Sequence, residues 1–386
     1  MSLKSVWGCF QVVRRVQRVL VVVLLLTGTL SVGVQAQLRV DPAPVLSIGG
    51  LTDDPRYMLS EVVGGLRLSD GKIILADRFT NGLRAYAADG SYLKEVGGEG
   101  QGPGEYEYIR GMSRCSEFPI VAFDLNWDQK IYDAGLTLIE ERPASIPGIA
   151  ASPYNFACAP SGHWLATGWG DTRAQFREGY YVATAPVVFG HGDEVLIDFG
   201  QRLSSERIGT LRPDRSPGGS GPHPFGKTMS LAIGHDQVFL GDGKTYHIEV
   251  YDFQGSLLSP LEWDGPNRTI GRKHRRAFEI ERLENTSADR APAVRRWLDN
   301  LPELEEFPAY DRLRTDSAGN LWVRYFPRPG EKTTDWVVFA PDGTQLGQLS
   351  LPSTTSLLDI GSDYVLLLAK DELDVPTVHL HNLLRR

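Results

Sequence analysis

Six short apolar runs, each directly after a turn, recur along the chain and constrain its fold more than any other feature. Each run follows a turn rich in Gly, Ser or Asp and is typical of a short β-strand. Recurrence at intervals of 44 to 83 residues indicates stacked copies of one supersecondary unit. The runs are SDGKIILAD (69–77), SEFPIVAFD (116–124), PSGHWLATG (160–168), GHDQVFLGD (234–242), SAGNLWVRY (317–325) and GSDYVLLLA (361–369).

A second turn follows several of these runs and extends each unit to four strands. YAADGSYLKEV (86–96), YDFQGSLLSPL (251–261) and FAPDGTQLGQL (339–349) each place Asp-Gly or a related pair between apolar stretches, as in a β-hairpin. Four antiparallel strands, here a to d, make one propeller blade. The sequence therefore predicts an all-β fold, a six-bladed β-propeller over residues 37–386. The last unit lacks strand d, which we expect from the N-terminal run 44–50.

Part of the chain resembles a known repeat family. LRLSDGKIILADRFTNGLRAYAADGSYLKEVGGEGQGPGEY (66–106) resembles an NHL-type repeat, with its Ala-Asp strand end, Asp-Gly hairpin and Gly-Pro-Gly segment. The whole chain is similar to exported bacterial six-bladed propeller proteins of unassigned function. NHL-type propellers include scaffolds, lyases and hydrolases, so the resemblance implies a fold and not a reaction.

The N-terminus has the pattern of a secretory signal peptide. A basic region precedes the apolar run VLVVVLLL (19–26), and small residues predict cleavage after Ala36. An uncleaved anchor helix is the alternative. Cleavage leaves 36 basic and 48 acidic residues, a net charge of −12. This charge argues against nucleic acid as a partner, and we expect no stable membrane insertion after cleavage and a periplasmic or secreted protein.

Two long insertions, residues 201–226 and 265–309, extend strand connections of the predicted propeller. The first has the composition of a loop, with SPGGSGPHPFGK (216–227). The second is predicted to be helical and to lie between blades four and five, because Val294, Trp297, Leu298 and Leu301 form an apolar stripe. Both are d–a crossovers, which emerge on the same propeller face as the b–c loops.

A third crossover, VGGEGQGPGEYEYIRGM (96–112), lies on the same face. Its glycines allow the chain to turn inward toward the central channel. We expect Tyr106 to pack between blades.

This face is where the sequence predicts a ligand site. Arginines converging in an acidic protein suggest an anionic small molecule, a glycan or a protein partner, because guanidinium matches carboxylate, sulfate and phosphate geometry. The alternative is that the cations pair with Asp77, Asp124 and Asp242, which end neighbouring strands. The rings of Trp127, Trp169, Phe225 and Tyr325 either stack on a sugar or ring, or pad the rim. The candidate ligand-binding residues are Arg78, Tyr108, Arg110, Lys227, Tyr310, Arg312 and Arg324.

Catalytic motifs are not recognisable in the sequence. It predicts no cofactor and no metal site; His379 and His381 share one face of a strand but lack a further ligand set. A non-catalytic binding propeller is therefore favoured, with an extracytoplasmic hydrolase or lyase using the same face as the alternative. Cys115 and Cys158 are either a disulfide, as export permits, or two small buried hydrophobic residues.

Overall fold

The computed structural model describes residues 38–115, 120–125, 127–143, 146, 149, 155–168, 172–212 and 214–385. The predicted signal peptide, Trp169 and the turn at 116–119 lie outside these residues. Residues 36–386 form one compact unit. The predicted all-β class is confirmed, since strands make up most of the secondary structure of this unit. Within the described ranges, no helix is long and apolar enough to span a membrane.

The described secondary structure comprises many short strands and a few helices. In chain order the strands are β1 (Leu38–Val40), β2 (Leu46–Gly49), β3 (Val62–Arg67), β4 (Ile73–Asp77), β5 (Gly82–Tyr86), β6 (Tyr92–Gly97), β7 (Gly111–Ser113), β8 (Ile120–Phe123), β9 (Gln129–Tyr132), β10 (Leu138–Arg142), β11 (Asn155–Cys158), β12 (His163–Thr167), β13 (Gly179–His191), β14 (Glu194–Leu211), β15 (Pro217–Pro222), β16 (Ser230–Ile233), β17 (Gln237–Gly241), β18 (His247–Asp252), β19 (Leu261–Glu262), β20 (Tyr310–Thr315), β21 (Leu321–Tyr325), β22 (Thr333–Phe339), β23 (Gln345–Pro352), β24 (Thr355–Ile360), β25 (Tyr364–Lys370) and β26 (Pro376–Arg385). The helices are α1 (Thr172–Gln175), α2 (Arg272–Glu284) and α3 (Ala291–Asp299).

These strands form six antiparallel sheets within the described residues. Sheets one to five are β3–β6, β7–β10, β11–β15, β16–β19 and β20–β23, and sheet six joins β24–β26 with β1 and β2. First strands of neighbouring sheets contact one another: β3 contacts β7 and β24, and β16 contacts β11 and β20. The first strands therefore lie where these neighbouring sheets meet.

The N-terminal strand completes the last sheet, as the sequence predicts. β2 pairs antiparallel with β26, with Leu46 opposite Leu380 and Ile48 opposite Val378. β1, which the sequence reading missed, pairs further along β26. The two ends of the unit are thus held in one sheet.

Each sheet buries side chains on both faces. Leu313 and Val323 of sheet five pack against Phe239 of sheet four. On the opposite face of sheet five, Trp322 packs with Leu357 of sheet six. Because side chains of a strand alternate between faces, one sheet contributes to two intersheet cores.

The first insertion is not a loop, contrary to the prediction from its composition. β14 continues through residues 201–211 and pairs with β15, which contains the Gly-rich stretch. Glycine has low strand propensity, but backbone pairing with an existing strand overrides it. Arg207 also holds this strand, with Nε donating to Ser220 Oγ at 2.9 Å and Nη2 to the Ser220 carbonyl at 3.0 Å.

The second insertion contains α2 and α3, in the connection from sheet four to sheet five. α3 ends at Asp299, two residues before Leu301, because the residue preceding Pro302 disfavours helical geometry. Below the helices, Phe225 and Phe307 are buried with their rings 5.4 Å apart. The two insertions therefore share an aromatic core.

Cys115 and Cys158 form a disulfide, which decides between the two alternatives left open by the sequence. Their Cα atoms are 4.9 Å apart. Cys115 follows β7 and Cys158 ends β11. The bond joins the first strands of sheets two and three.

Candidate functional site

The aspartates that end β4 and follow β8 organise the crossovers. Asp77 accepts the backbone N–H groups of Ser60 and Glu61, each at 3.1 Å. Asp124 accepts the Tyr108 N–H at 2.8 Å in the same way. Neither carboxylate forms an ion pair with a lysine or arginine of the described chain. Of the two alternatives left open by the sequence, pairing of the site cations with these two aspartates is therefore not found, since the carboxylates accept backbone N–H groups instead.

The Gly-rich crossover turns the chain into sheet two. Gly97 and Gly104 have φ of +99° and +78°, and a Cβ at Gly100 would overlap the Glu105 carboxylate. Tyr106 follows and is fully buried, with its hydroxyl 2.9 Å from that of Tyr132. The expected packing role of Tyr106 is confirmed.

Arg78 and Tyr108 lie together at the end of sheet one, where the β4–β5 loop and the crossover to sheet two emerge. The Arg78 guanidinium lies 4.4 Å from the centre of the Tyr108 ring. Its Nε donates to the Ile109 carbonyl at 3.2 Å, and Nη1 is ion-paired with Glu61. Arg78 is therefore fully engaged, while Tyr108 keeps an exposed face.

Arg110 stacks on Trp127 at the top of sheet two. Its guanidinium lies 5.7 Å from the Trp127 ring centre, and Nε donates to the Leu125 carbonyl at 2.7 Å. Trp127 has φ of +67°, which is unusual for a bulky residue and common at functional sites. The centre of its ring lies 5.5 Å from that of Phe123 and 6.2 Å from that of Phe156. This places an exposed cation on a rigid aromatic support.

Lys227 is paired within the base of the first insertion. Its Nζ lies 3.3 Å from Glu206 Oε1, and the glutamate is buried. Asp242 is ion-paired with Lys244 at 3.1 Å. Phe225, for which the sequence left open stacking on a ligand or padding of the rim, is buried in an aromatic core with Phe307.

Tyr310 and Tyr325 are structural. Tyr310 is fully buried and donates its hydroxyl to the His247 carbonyl at 2.6 Å. Burial raises its pKa. The Tyr325 hydroxyl accepts the Trp263 indole N–H at 3.1 Å. Neither ring is available to stack on a ligand.

Arg324 and Arg312 are cross-strand neighbours on β21 and β20. Arg324 forms two hydrogen bonds to Asp311, at 2.8 and 2.7 Å. The Arg312 side chain forms no hydrogen bond or ion pair with any residue that the structure describes. The Arg312 side chain is exposed to solvent. Nearby protein atoms displace part of its water and lower its pKa, and the charge of Arg324 lowers the pKa further against the attraction of Asp311.

Arg314, which the sequence reading missed, lies on the same face of β20 as Arg312. Burial lowers its pKa to about 10, and the charge of Arg312 adds to that effect. Its Nη1 donates to the Leu358 carbonyl at 2.9 Å. The spacing Arg312-Leu313-Arg314 in a strand was the available signal, because residues i and i+2 share a face.

A buried ion pair lies close to Arg314. Asp359 of β24 accepts two hydrogen bonds from Arg114, at 2.7 and 2.9 Å. It also accepts the Arg67 N–H at 2.8 Å and the Tyr364 hydroxyl at 2.7 Å. Asp359 attracts Arg314, but its own charge is already compensated by Arg114.

The predicted site residues thus fall into separate groups. Arg78 contacts Tyr108 and the Ile109 carbonyl, and Arg110 is the next residue in the chain. Arg312, Arg314 and Arg324 lie close together on β20 and β21. No contact among the described residues links these groups to each other.

His379 and His381 have their own partners. His379 Nδ1 lies 2.8 Å from Ser47 Oγ, and His381 Nδ1 lies 2.8 Å from the Asp41 carbonyl. Burial and the neighbouring His381 lower the pKa of His379. In the described part of the chain, no group of three or more His, Cys, Asp or Glu residues is placed to hold a metal ion.

Two depressions lie away from Arg312. One, of about 690 Å³, opens between sheets two and three and is lined by the disulfide, Phe156 and Trp164. The other, of about 300 Å³, lies at the top of sheet two and is lined by Glu105 and Glu107 among others.

Comparison with known proteins agrees with this arrangement of sheets. A family model described as a six-bladed β-propeller matches residues 56–113, which span β3 to β7. The chain is similar to six-bladed β-propellers. No curated protein matches its sequence significantly.

Solved structures with the same overall likeness are distant in sequence. A putative exported protein from Bacteroides fragilis is 13% identical, with a TM-score of 0.48 over 90% of this chain and 95% of that one. A DUF4221 family member from Bacteroides vulgatus is 12% identical, with a TM-score of 0.49 over 91% and 100%. Virginiamycin B lyase from Staphylococcus aureus is 11% identical, with a TM-score of 0.39 over 89% and 99%. At this level of similarity we carry nothing from these proteins to this chain.

Proposed function

We propose that the protein is an exported, non-catalytic propeller that binds a small anionic or glycan-like ligand in its central channel, at Arg312. The observation that carries the proposal is the Arg312 guanidinium, which has solvent contact but no partner among the described residues. The charges of Arg314 and Arg324 repel that of Arg312, and a bound anion would offset this repulsion.

The local charge balance supports an anion. Arg312, Arg314 and Arg324 lie together with Asp311, which gives a net charge of two positive units in an acidic protein. Asp311 is held by Arg324 and Asp359 by Arg114. A carboxylate, sulfate or phosphate group would accept paired N–H bonds from Arg312.

The proposal includes the architecture and the location. The six sheets are taken as six blades of one ring, with 265–309 as a helical insertion between blades four and five. Removal of residues 1–36 would release the protein to the periplasm or the exterior. The Cys115–Cys158 bond supports this location, because disulfides persist in oxidising compartments.

Isothermal titration with phosphate, sulfate and galacturonate tests the proposal. Arg312→Met should weaken binding of the best anion about tenfold or more, because a charge-assisted hydrogen bond is lost. Arg295→Met, on the exposed face of α3, is the matched control and should bind like the wild type. Equal affinity of wild type and Arg312→Met for every bound anion would overturn the proposal.

The hydrolase or lyase remains the alternative function. Mass spectrometry of the ligand after incubation distinguishes the two. Recovery of intact ligand supports a binding protein. Conversion that Arg312→Met abolishes and Arg295→Met retains would assign a reaction to this site instead.

A further inference from the structure

A second surface, separate from the channel, lies on the loops and crossovers of sheets six, one and two. We call it the acidic rim; it comprises residues 50–61, 78–81, 98–110, 124–125, 127–128 and 371–375. Large apolar side chains project from it into solvent. They are Leu51, Met58, Phe79, Tyr108, Leu125 and Leu373.

The three most exposed of these side chains are nearly free of protein contact. Leu51 is 89% exposed, and Phe79 and Leu373 are each 77% exposed. The opposite turns of the same sheets, residues 68–72, 87–91, 133–137 and 361–363, present no exposed large apolar side chain. An apolar patch rimmed by charge marks an interaction site more often than chance exposure.

Contacts make the rim continuous across the three sheets. Gly50 N–H donates to the Pro376 carbonyl at 3.1 Å, which links sheet six to the first crossover. Arg78 joins that crossover to the next, through Glu61 and the Ile109 carbonyl. The Arg110–Leu125 hydrogen bond continues the surface onto sheet two.

The rim is strongly negative. Its segments contain eleven aspartates and glutamates against three arginines. Arg56 and Arg78 are already ion-paired with Asp54 and Glu61. The depression beside Glu105 and Glu107 lies on the same surface, next to exposed Leu125.

We propose that the acidic rim binds a cationic, amphipathic segment of a partner protein. Charge complementarity selects lysine- or arginine-rich chains and repels nucleic acid and anionic lipid. Phe79, Leu373 and Tyr108 supply apolar anchors, which carry most of the binding free energy of an interface.

The test uses fluorescence anisotropy with a labelled amphipathic helix of leucine and lysine. This probe should bind the mature protein with a Kd in the micromolar range and weaken steeply with added salt. Two matched probes serve as controls, one of leucine and glutamate and one of serine and lysine. Each should bind with a Kd at least about tenfold higher than that of the leucine–lysine probe. Equal binding of the serine–lysine probe would show that the rim attracts positive charge non-specifically, without a contribution from its apolar side chains, and would overturn the proposal.

Variants locate the binding. Phe79→Ser combined with Leu373→Ser should weaken the leucine–lysine probe about tenfold or more. Leu257→Ser, at a side chain 62% exposed on sheet four, is the control and should bind normally. Glu105→Lys combined with Glu372→Lys should weaken the probe and flatten its salt dependence. Circular dichroism and the melting temperature show whether each variant is folded.

Two further measurements test whether the rim binds a second copy of this chain or a membrane instead of a partner protein. Dimerisation that the Phe79→Ser, Leu373→Ser variant abolishes would assign the rim to a second copy of this chain. Cosedimentation with phosphatidylglycerol vesicles, lost in the same variant, would assign it to a membrane. Either result overturns the proposal. Anion binding at Arg312 should be unchanged in the rim variants, so the two sites fail or succeed separately.

Discussion

Asp359 shows how one buried carboxylate organises the centre of the molecule. Burial alone would raise its pKa, but hydrogen bonds from Arg114, the charge of Arg114, the Arg67 N–H and the Tyr364 hydroxyl outweigh burial and lower it. Four donors from three sheets meet at this group. The first strands are therefore joined by charge as well as by backbone contacts.

Acid should remove this contribution to stability. Because the folded-state pKa of Asp359 is lowered, its stabilisation is complete above the ordinary pKa of about 4 and is lost as the pH falls through the folded value. Urea unfolding of wild type and Asp359→Asn measures this. The variant should lose about 3–5 kcal/mol at neutral pH, and the difference should shrink in acid.

An exposed pair provides the control for that experiment. Glu140 is held by Arg142 at 2.6 Å, with both side chains more than 40% exposed. Glu140→Gln should cost less than about 1 kcal/mol, because water screens the pair. A cost at Asp359 as small as at Glu140 would contradict the central role of the buried pair.

Residue-level prediction from the sequence worked where the residue type has one dominant use. Tyr106 packs between sheets, as expected of an aromatic residue after a tight turn. It failed where a polar side chain has several possible partners. Asp77 and Asp124 bind backbone N–H groups, and Arg324 binds Asp311, which is near in space through a strand bulge. Such choices depend on distances of a few ångströms that the sequence does not contain.

At the scale of elements, strands with alternating apolar residues were predictable and the insertions only in part. The pairing of 44–50 with the last sheet follows from a missing strand, and the structure has it. The Gly-rich part of 201–226 was predicted as a loop because glycine lacks strand propensity, yet β15 pairs there with β14. Pairing depends on a neighbouring strand, which local composition cannot report.

The closing strand β2 should contribute measurably to stability. Ile48 is 1% exposed and packs with Leu59 and Ile73 between sheets six and one. Ile48→Ala should cost about 2–5 kcal/mol in urea unfolding, because it leaves a cavity where the two ends of the unit meet. Val45→Ala, at a side chain 59% exposed next to the same strand, should change stability little.

The disulfide should stabilise sheets two and three. It joins residues 43 positions apart on different sheets. Cys115→Ser combined with Cys158→Ser should cost about 2–4 kcal/mol, because the unfolded chain gains freedom. Dithiothreitol should lower the wild-type melting temperature toward that of the double variant and leave the variant unchanged. A wild-type melting temperature insensitive to reduction would contradict this role.

At the scale of the whole molecule, charge is unevenly distributed. The mature chain has a predicted net charge of −12, and the acidic rim concentrates negative charge on one face. The cluster of Arg312, Arg314 and Arg324 has the opposite sign. The sequence predicted an anion site in an acidic protein, but which arginines remain unpaired depends on the packing of sheets five and six.

Anions should therefore stabilise the entire unit through one residue. A ligand that binds only the folded state adds about 2.7 kcal/mol at a concentration of one hundred times its Kd. Sulfate also stabilises proteins without a site, by exclusion from their surfaces, so its effect alone decides nothing.

The informative quantity is the difference between wild type and Arg312→Met in the same sulfate series. The melting temperature of the wild type should rise with sulfate concentration and reach a plateau on top of a gradual rise. That of Arg312→Met should show the gradual rise alone. Without ligand the variant should be at least as stable as wild type, because it removes the repulsion between Arg312 and its arginine neighbours. Parallel sulfate curves for the two proteins would show that the channel holds no anion.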